Sequence, residues 1–193
     1  IILAMCVSTT IPVTGFFQNN LSACKEMVRH FPDSSRPYWN LGVTYYEMAR
    51  FPEAAMYFKE YESRATRNPF VPAVQGDALF HHALGRCYVN NPDEAIKEFR
   101  EAIRLKPQFL PARIDMTKAH LLKKNYPEAL KHALGAIQLN DKAVIAYVYA
   151  AEASIGQNDF VSAEKFTQKA KALAPDDENV IWLENFLSQH AQP

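Results

Sequence analysis

Apolar residues recur along the chain with helical spacing, in pairs of stretches separated by turn signals. Tyr38, Leu41, Gly42 and Tyr45 share one helix face, Phe51, Ala54 and Phe58 share the face of a second stretch, and Pro69 closes the pair. The pattern returns as His81, Leu84, Gly85 and Tyr88, then Ala95, Phe99 and Ala102, ending at Pro107. A third copy reads Arg113, Met116, Thr117 and His120, then Tyr126, Ala129, Ala133 and Ala136, ending at Asp141. The fourth reads Tyr147, Ala150, Ala151 and Ser154, then Phe160, Ala163, Thr167 and Ala170, ending at Pro175. The closing residues, with Pro32 before the first copy, lie 37, 38, 34 and 34 positions apart. A period near 34 with two helical stretches per unit marks stacked helix pairs. No stretch alternates with period two long enough to predict a strand.

Gly42 stands mid-helix, where it costs about 1 kcal/mol relative to alanine. The small residue on each first helix, with the alanine on each second, predicts antiparallel helices packed too closely for a larger side chain. Punctuation supports the same boundaries. Second helices open with Pro52-Glu53, Asn91-Pro92-Asp93-Glu94 and Pro127-Glu128, which place proline and acids in the first turn. Asp159 is a cap for the fourth, and Asp33-Ser34-Ser35 after Pro32 reads as stop, cap and restart.

The segments W-N-L-G-x-x-Y, F-x-E-A-A and H-A-L-G-x-x-Y…D-E-A-I-K-E-F-x-x-A-I-x-L-x-P resemble tetratricopeptide repeats over residues 33–175. The resemblance implies an all-α, right-handed superhelical solenoid of about four to five antiparallel helix pairs. Repeats are expected at 33–69, 70–107, 108–141 and 142–175. Residues 176–193 should form a capping helix, carried by Val180, Ile181, Leu183, Phe186 and Leu187. Three features depart from the family pattern. Thr117 and Ala151 stand in place of glycine, Phe70–Asp77 lengthens a connection, and the turn in the second copy is two residues short.

Residues 1–32 open without a charge before Lys25. The favoured reading is a degenerate first repeat, with Val7-Ser8 at the Leu-Gly place, Gly15 and Phe17 in the turn, and Cys24 and Met27 on the second helix. A second reading is the end of a transmembrane helix. Phe17–Gly42 is similar to the membrane-to-repeat junction of multi-spanning glycosyltransferase-like proteins, which implies the non-catalytic tail of such an enzyme. A third is a signal or lipoprotein-like site around Leu3-Ala4-Met5-Cys6. The chain is expected to be cytoplasmic if free-standing, and extracytoplasmic or membrane-tethered if that segment ends a span.

With 21 basic and 21 acidic residues the net charge is zero, which offers no attraction to nucleic acid. The 48% hydrophobic and 22% charged content is that of a globular protein. Cys6, Cys24 and Cys87 are too few and too widely spaced for a disulfide framework and are expected as buried hydrophobes. Phosphate-binding, zinc-protease and nucleophile-elbow motifs are absent from the sequence. His81-His82 with Asp77 is half a metal site at most; His81 should pack between helices and His82 should face the groove or solvent. His120 and His132 fall on the two helices of one repeat with no nucleophile beside them. No catalytic site, cofactor or metal is therefore expected.

Function should lie on the stripe of each first helix opposite its partner. Relative to the small residue this stripe falls three before, one after and four after. The positions are Trp39, Val43 and Tyr46; His82, Arg86 and Val89; Ile114, Lys118 and Leu121; and Val148, Glu152 and Ile155. They form an apolar groove with a basic pair, Arg86 and Lys118, near its middle. The expected role is a non-catalytic scaffold that binds a protein, as a peptide or helix, with Trp39 and Tyr46 as anchors. The family's chaperone-tail subclass is excluded, since Trp39 and Val43 occupy places where its carboxylate clamp needs polar and basic side chains.

Overall fold

The computed structural model describes residues 13–67, 77–88 and 90–190, with backbone only for residues 13–19. Among them are ten helices: α1 (Val13–His30), α2 (Arg36–Glu47), α3 (Phe51–Ala65), α4 (Ala78–Cys87), α5 (Pro92–Leu105), α6 (Leu110–Leu122), α7 (Tyr126–Leu139), α8 (Val144–Gly156), α9 (Phe160–Leu173) and α10 (Glu178–His190). They belong to two compact units, residues 1–75 and residues 76–193. In the first unit α2 packs against α1 and α3. In the second, α4–α5, α6–α7 and α8–α9 are pairs, and the first helices α4, α6, α8 and α10 also touch in sequence.

Each pair interlocks through its small residue. A Cβ on Gly42 would sit 2.5 Å from the Phe58 ring, and one on Gly85 would sit 2.6 Å from the Phe99 ring. Glycine is therefore needed because a phenylalanine on the second helix fills its place, not because two backbones touch. The last two pairs divide the volume differently. Thr117 and Ala151 occupy the glycine register, and the phenylalanine register holds Ala133 and Thr167, all four buried. Thr117 and Thr167 satisfy their hydroxyls by donating to carbonyls one turn back, Arg113 at 2.8 Å and Ala163 at 2.9 Å.

The turn between paired helices repeats in its backbone. Ala49, Lys124 and Asn158 have φ of 55°, 56° and 59°, each seven residues after the small residue of its first helix. This left-handed residue reverses the chain in three residues. In the second repeat the same register is Pro92, the first residue of α5, and α4 ends at Cys87.

A second device is shared by two of the closing prolines. Tyr38 Oη and Arg64 Nε donate to the Pro32 carbonyl at 3.1 and 2.9 Å. Arg113, at the register of Tyr38, donates to the Pro107 carbonyl through Nη2 at 3.0 Å and Nε at 3.3 Å. The carbonyls of Pro32 and Pro107 are thus each held by a side chain of the helix that follows.

Two expectations are corrected or only partly met. Gly15 and Phe17 lie inside α1 rather than in a turn, so one continuous helix enters α2. Val7, Ser8 and Cys6 lie outside the described residues, as does most of the Phe70–Asp77 connection. Ser35 takes the cap position of α2 but makes no side-chain cap bond. Asp77 caps α4 by accepting from Leu79 N at 2.8 Å. Asn91, Asp159 and Asp177 cap α5, α9 and α10 in the same way. Among the described residues no helix is long and apolar enough to cross a membrane.

Candidate functional site

In the first unit the three sites read from sequence lie on α2, all half-buried. The Trp39 ring packs 5.3 Å from Phe58 and 5.2 Å from Tyr61, both on α3. Tyr46 meets Phe51 edge-on at 5.7 Å. Both aromatics therefore spend part of their surface holding their own helix pair together.

The second unit sets its first helices side by side and joins them with charge. His82 on α4 and Asp115 on α6 pair at 2.8 Å, from Nε2 to Oδ2. Arg86 Nε lies 3.7 Å from the same carboxylate oxygen. The His82 ring is wedged against Phe109 at 5.1 Å and Phe99 at 5.8 Å. Asp115 thus faces two residues of the preceding repeat, and Arg86 of the basic pair already has an acid beside it. Val89 lies outside the described residues.

Further along, α6 presents half-buried Ile114 and Leu121 with exposed Lys118 between them. On α8, Glu152 and Ile155 are half-buried, whereas Val148 is only 1% exposed. Val148 is a correction: it is buried in a cluster with Ala151, Ala170, Val180 and Leu183 because α10 covers it. Burial pushes the Glu152 carboxyl up from the ordinary range, and Lys118 offsets only part of that. Beside it, burial, with Glu152 and Asp115 nearby, pushes the Tyr149 phenol up to about 12.

Asp115 and Tyr149 were not among the positions expected to line the groove. Both stand two residues before the small residue of their helix, which places them one turn from Lys118 and Glu152 on the same face. A stripe drawn one position wider would have included them.

His81, His120 and His132 join helices within their pairs. His81 Nδ1 contacts Glu98 Oε2 at 2.8 Å, tying α4 to α5. His120 and His132 stack at 5.4 Å with planes 7° apart, joining α6 to α7. Cys24 and Cys87 are free and buried, and burial pushes the Cys87 thiol up to about 12. No group of three metal-ligating side chains occurs among the described residues.

No family model matches the chain. No curated protein matches it. Solved structures do. The crystal structure of MamA is 17% identical, covering 93% of this chain and 89% of its own, at a TM-score of 0.72. YrrB, described as a tetratricopeptide-repeat protein with an unusual peptide-binding site, is 15% identical over 89% and 85%, at 0.77. The first repeat domain of Spaghetti (RPAP3), bound to the HSP90 peptide SRMEEVD, is 21% identical over 58% and 91%, at 0.57. Nothing in these likenesses supports the glycosyltransferase-like resemblance. At these TM-scores the likeness is one of fold, and the chain has the tetratricopeptide-repeat fold.

Proposed function

We propose that this chain is a non-catalytic protein-interaction scaffold whose second unit holds a peptide or helix against its first helices. One observation carries the reading. Asp115, Lys118, Tyr149 and Glu152 act on one another across α6 and α8, half-buried or exposed, with half-buried Ile114, Leu121 and Ile155 on the same two helices. A merely solvated face would not desolvate a carboxylate and a phenol side by side. Partly desolvated polar groups flanked by apolar surface give a bound segment both affinity and register. Peptide binding by YrrB and by the RPAP3 domain on the same fold supports the choice of ligand class. Trp39, Val43 and Tyr46 are proposed as a further contact surface of the first unit.

The test is selection of a phage-displayed library of random 12-residue peptides on the whole chain, followed by fluorescence polarisation with the recovered peptides. Lys118→Glu should weaken binding at least tenfold. Lys169→Glu, on the outer side of α9, should leave it unchanged. Equal binding by the wild type and both variants would place the contact elsewhere.

A further inference from the structure

Two of the ten helices are each half of a pair. Helix α1 stands in the register of a second helix: Cys24 lies eight residues before Pro32, as Phe99 lies before Pro107 and Thr167 before Pro175. Its stop carbonyl, Pro32, is held by α2 as that of Pro107 is held by α6. Helix α10 stands in the register of a first helix, 34 residues after α8, and packs on α8 through Val180 and Leu183. Among the described residues no first helix precedes α1 and no second helix follows α10. Both faces are open where paired helices are closed. On α1, Met27 is 40% exposed at the register where Ala102, Ala136 and Ala170 are each 0% exposed. Asn20 is exposed where Ala95, Ala129 and Ala163 are buried. On α10, Asn185 and Ser188 are exposed where Ala151 and Ser154 are buried, and Trp182 is 54% exposed where Val148 is covered.

The complete pairs show what each open position meets. Three residues before the small residue, Trp39 packs on Tyr61 at 5.2 Å, and Val148 shares a cluster with Ala170. Tyr61 and Ala170 hold the Met27 register of their second helices. Three residues after the small residue, Tyr45 stacks on Tyr57 at 5.2 Å and His120 on His132 at 5.4 Å. Tyr57 and His132 hold the Ala23 register, and Ala23 is exposed. Carried over to α1 lying on α10, these contacts set Met27 against Trp182 and Ala23 against Ser188. A thioether on an indole is a favourable contact. Polar Asn20 falls at the same end as polar Ser188. A cleft of about 390 Å³ already opens between α9 and α10, lined by Ser188, apolar Phe160, Val161 and Leu187, and the acids Glu164 and Glu184. Lys171 holds Glu184 at 2.6 Å. Charge agrees in sign, because α1 carries exposed Lys25 and Arg29 against one acid, Glu26.

We infer that α1 of one copy seats on α10 of another, so that two half-pairs complete one repeat between chains. The partner is a second copy because one sequence carries both halves. Such a contact joins unlike faces, so it repeats from copy to copy in a row. Asn20, Asn185 and Ser188 make the interface partly polar, with Trp182 as its aromatic anchor, which suits reversible association. The inference is independent of the groove reading above.

Sedimentation velocity of the whole chain at increasing concentration tests it. The wild type should pass from monomer through dimer to larger species. Trp182→Ala on α10, and Met27→Glu or Ala23→Arg on α1, should each stay monomeric with helicity and urea midpoint retained. An equimolar mixture of Trp182→Ala with Met27→Glu should form one-to-one dimers and nothing larger, since each variant brings one intact face. Lys118→Glu should associate as the wild type does. A monomeric wild type, or variants that associate unchanged, would overturn the inference. So would a mixture that stays monomeric, which marks a contact between like faces. Association lost in Lys118→Glu would move the contact to the groove and overturn it as well.

Discussion

Gly42 and Gly85 show how one missing side chain organises a helix pair. Each leaves room for a phenylalanine ring that is itself almost fully buried, Phe58 at 1% and Phe99 at 3% exposure. Valine at either glycine must displace an aromatic anchored in the core. Gly42→Val and Gly85→Val should each cost about 1–3 kcal/mol in urea melts by overpacking. Valine at exposed Lys169 should leave the midpoint unmoved. Backbone conformation predicts the opposite sign at Ala49. Its φ of 55° is unfavourable for a residue with a Cβ. Ala49→Gly should therefore stabilise by about 0.5–1 kcal/mol even though glycine usually destabilises a chain. A lower midpoint for this variant would refute the turn geometry. Asn158, at the same register, tolerates that conformation better and should gain less from the same change.

At the level of paired elements, α6 and α7 meet through two imidazoles that are both held neutral. Their Nδ1 atoms are buried with no hydrogen-bond partner. Burial lowers His120, and burial with the facing ring lowers His132 to about 4. Glu128 acts in the opposite direction, while Lys123, Lys131, Arg100 and Arg113 around the pair add to the lowering. In the unfolded chain a histidine titrates near 6.5, so between about pH 6.5 and 4 the unfolded state binds more protons than the native one. Stability contributed by the neutral pair is thus complete above 6.5 and lost as pH falls through this window. The loss should be on the order of 2–3 kcal/mol. His132→Phe keeps a stacked ring without the proton site. Its urea midpoint should fall less between pH 6.5 and 4.5 than that of the wild type. Parallel slopes for the two proteins would show that the pair does not titrate with unfolding.

Across the whole molecule, stability in stacked repeats is a sum of each pair and its neighbours. Damage should therefore stay local. Within the second unit, Gly85→Val should reduce amide hydrogen-exchange protection in α4, α5 and the adjoining α6, while α8–α10 stay protected. Uniform loss from α4 to α10 would indicate one cooperative block instead. Such independence also suits binding, since a segment lying across several first helices is held by side chains from each. The His82–Asp115 contact bridges consecutive repeats at the face proposed for binding.

The elements themselves were legible because their causes are local. A repeat of 34–38 residues, proline at stop and start, and a small residue on every first helix are written in adjacent positions, and they fix helix, turn and pairing. Tertiary packing decided what spacing cannot express. Whether a stripe residue faces water or the next helix depends on what lies over it, and α10 buries Val148 while leaving Trp182 open. Charges find partners across repeats, so Asp115 takes His82 and approaches Arg86 from about 30 positions away, a pairing that no periodicity encodes. Gly15 and Phe17 looked like a turn by offset alone, yet they continue a helix, because two residues of turn-like type do not break a run that its neighbours keep helical.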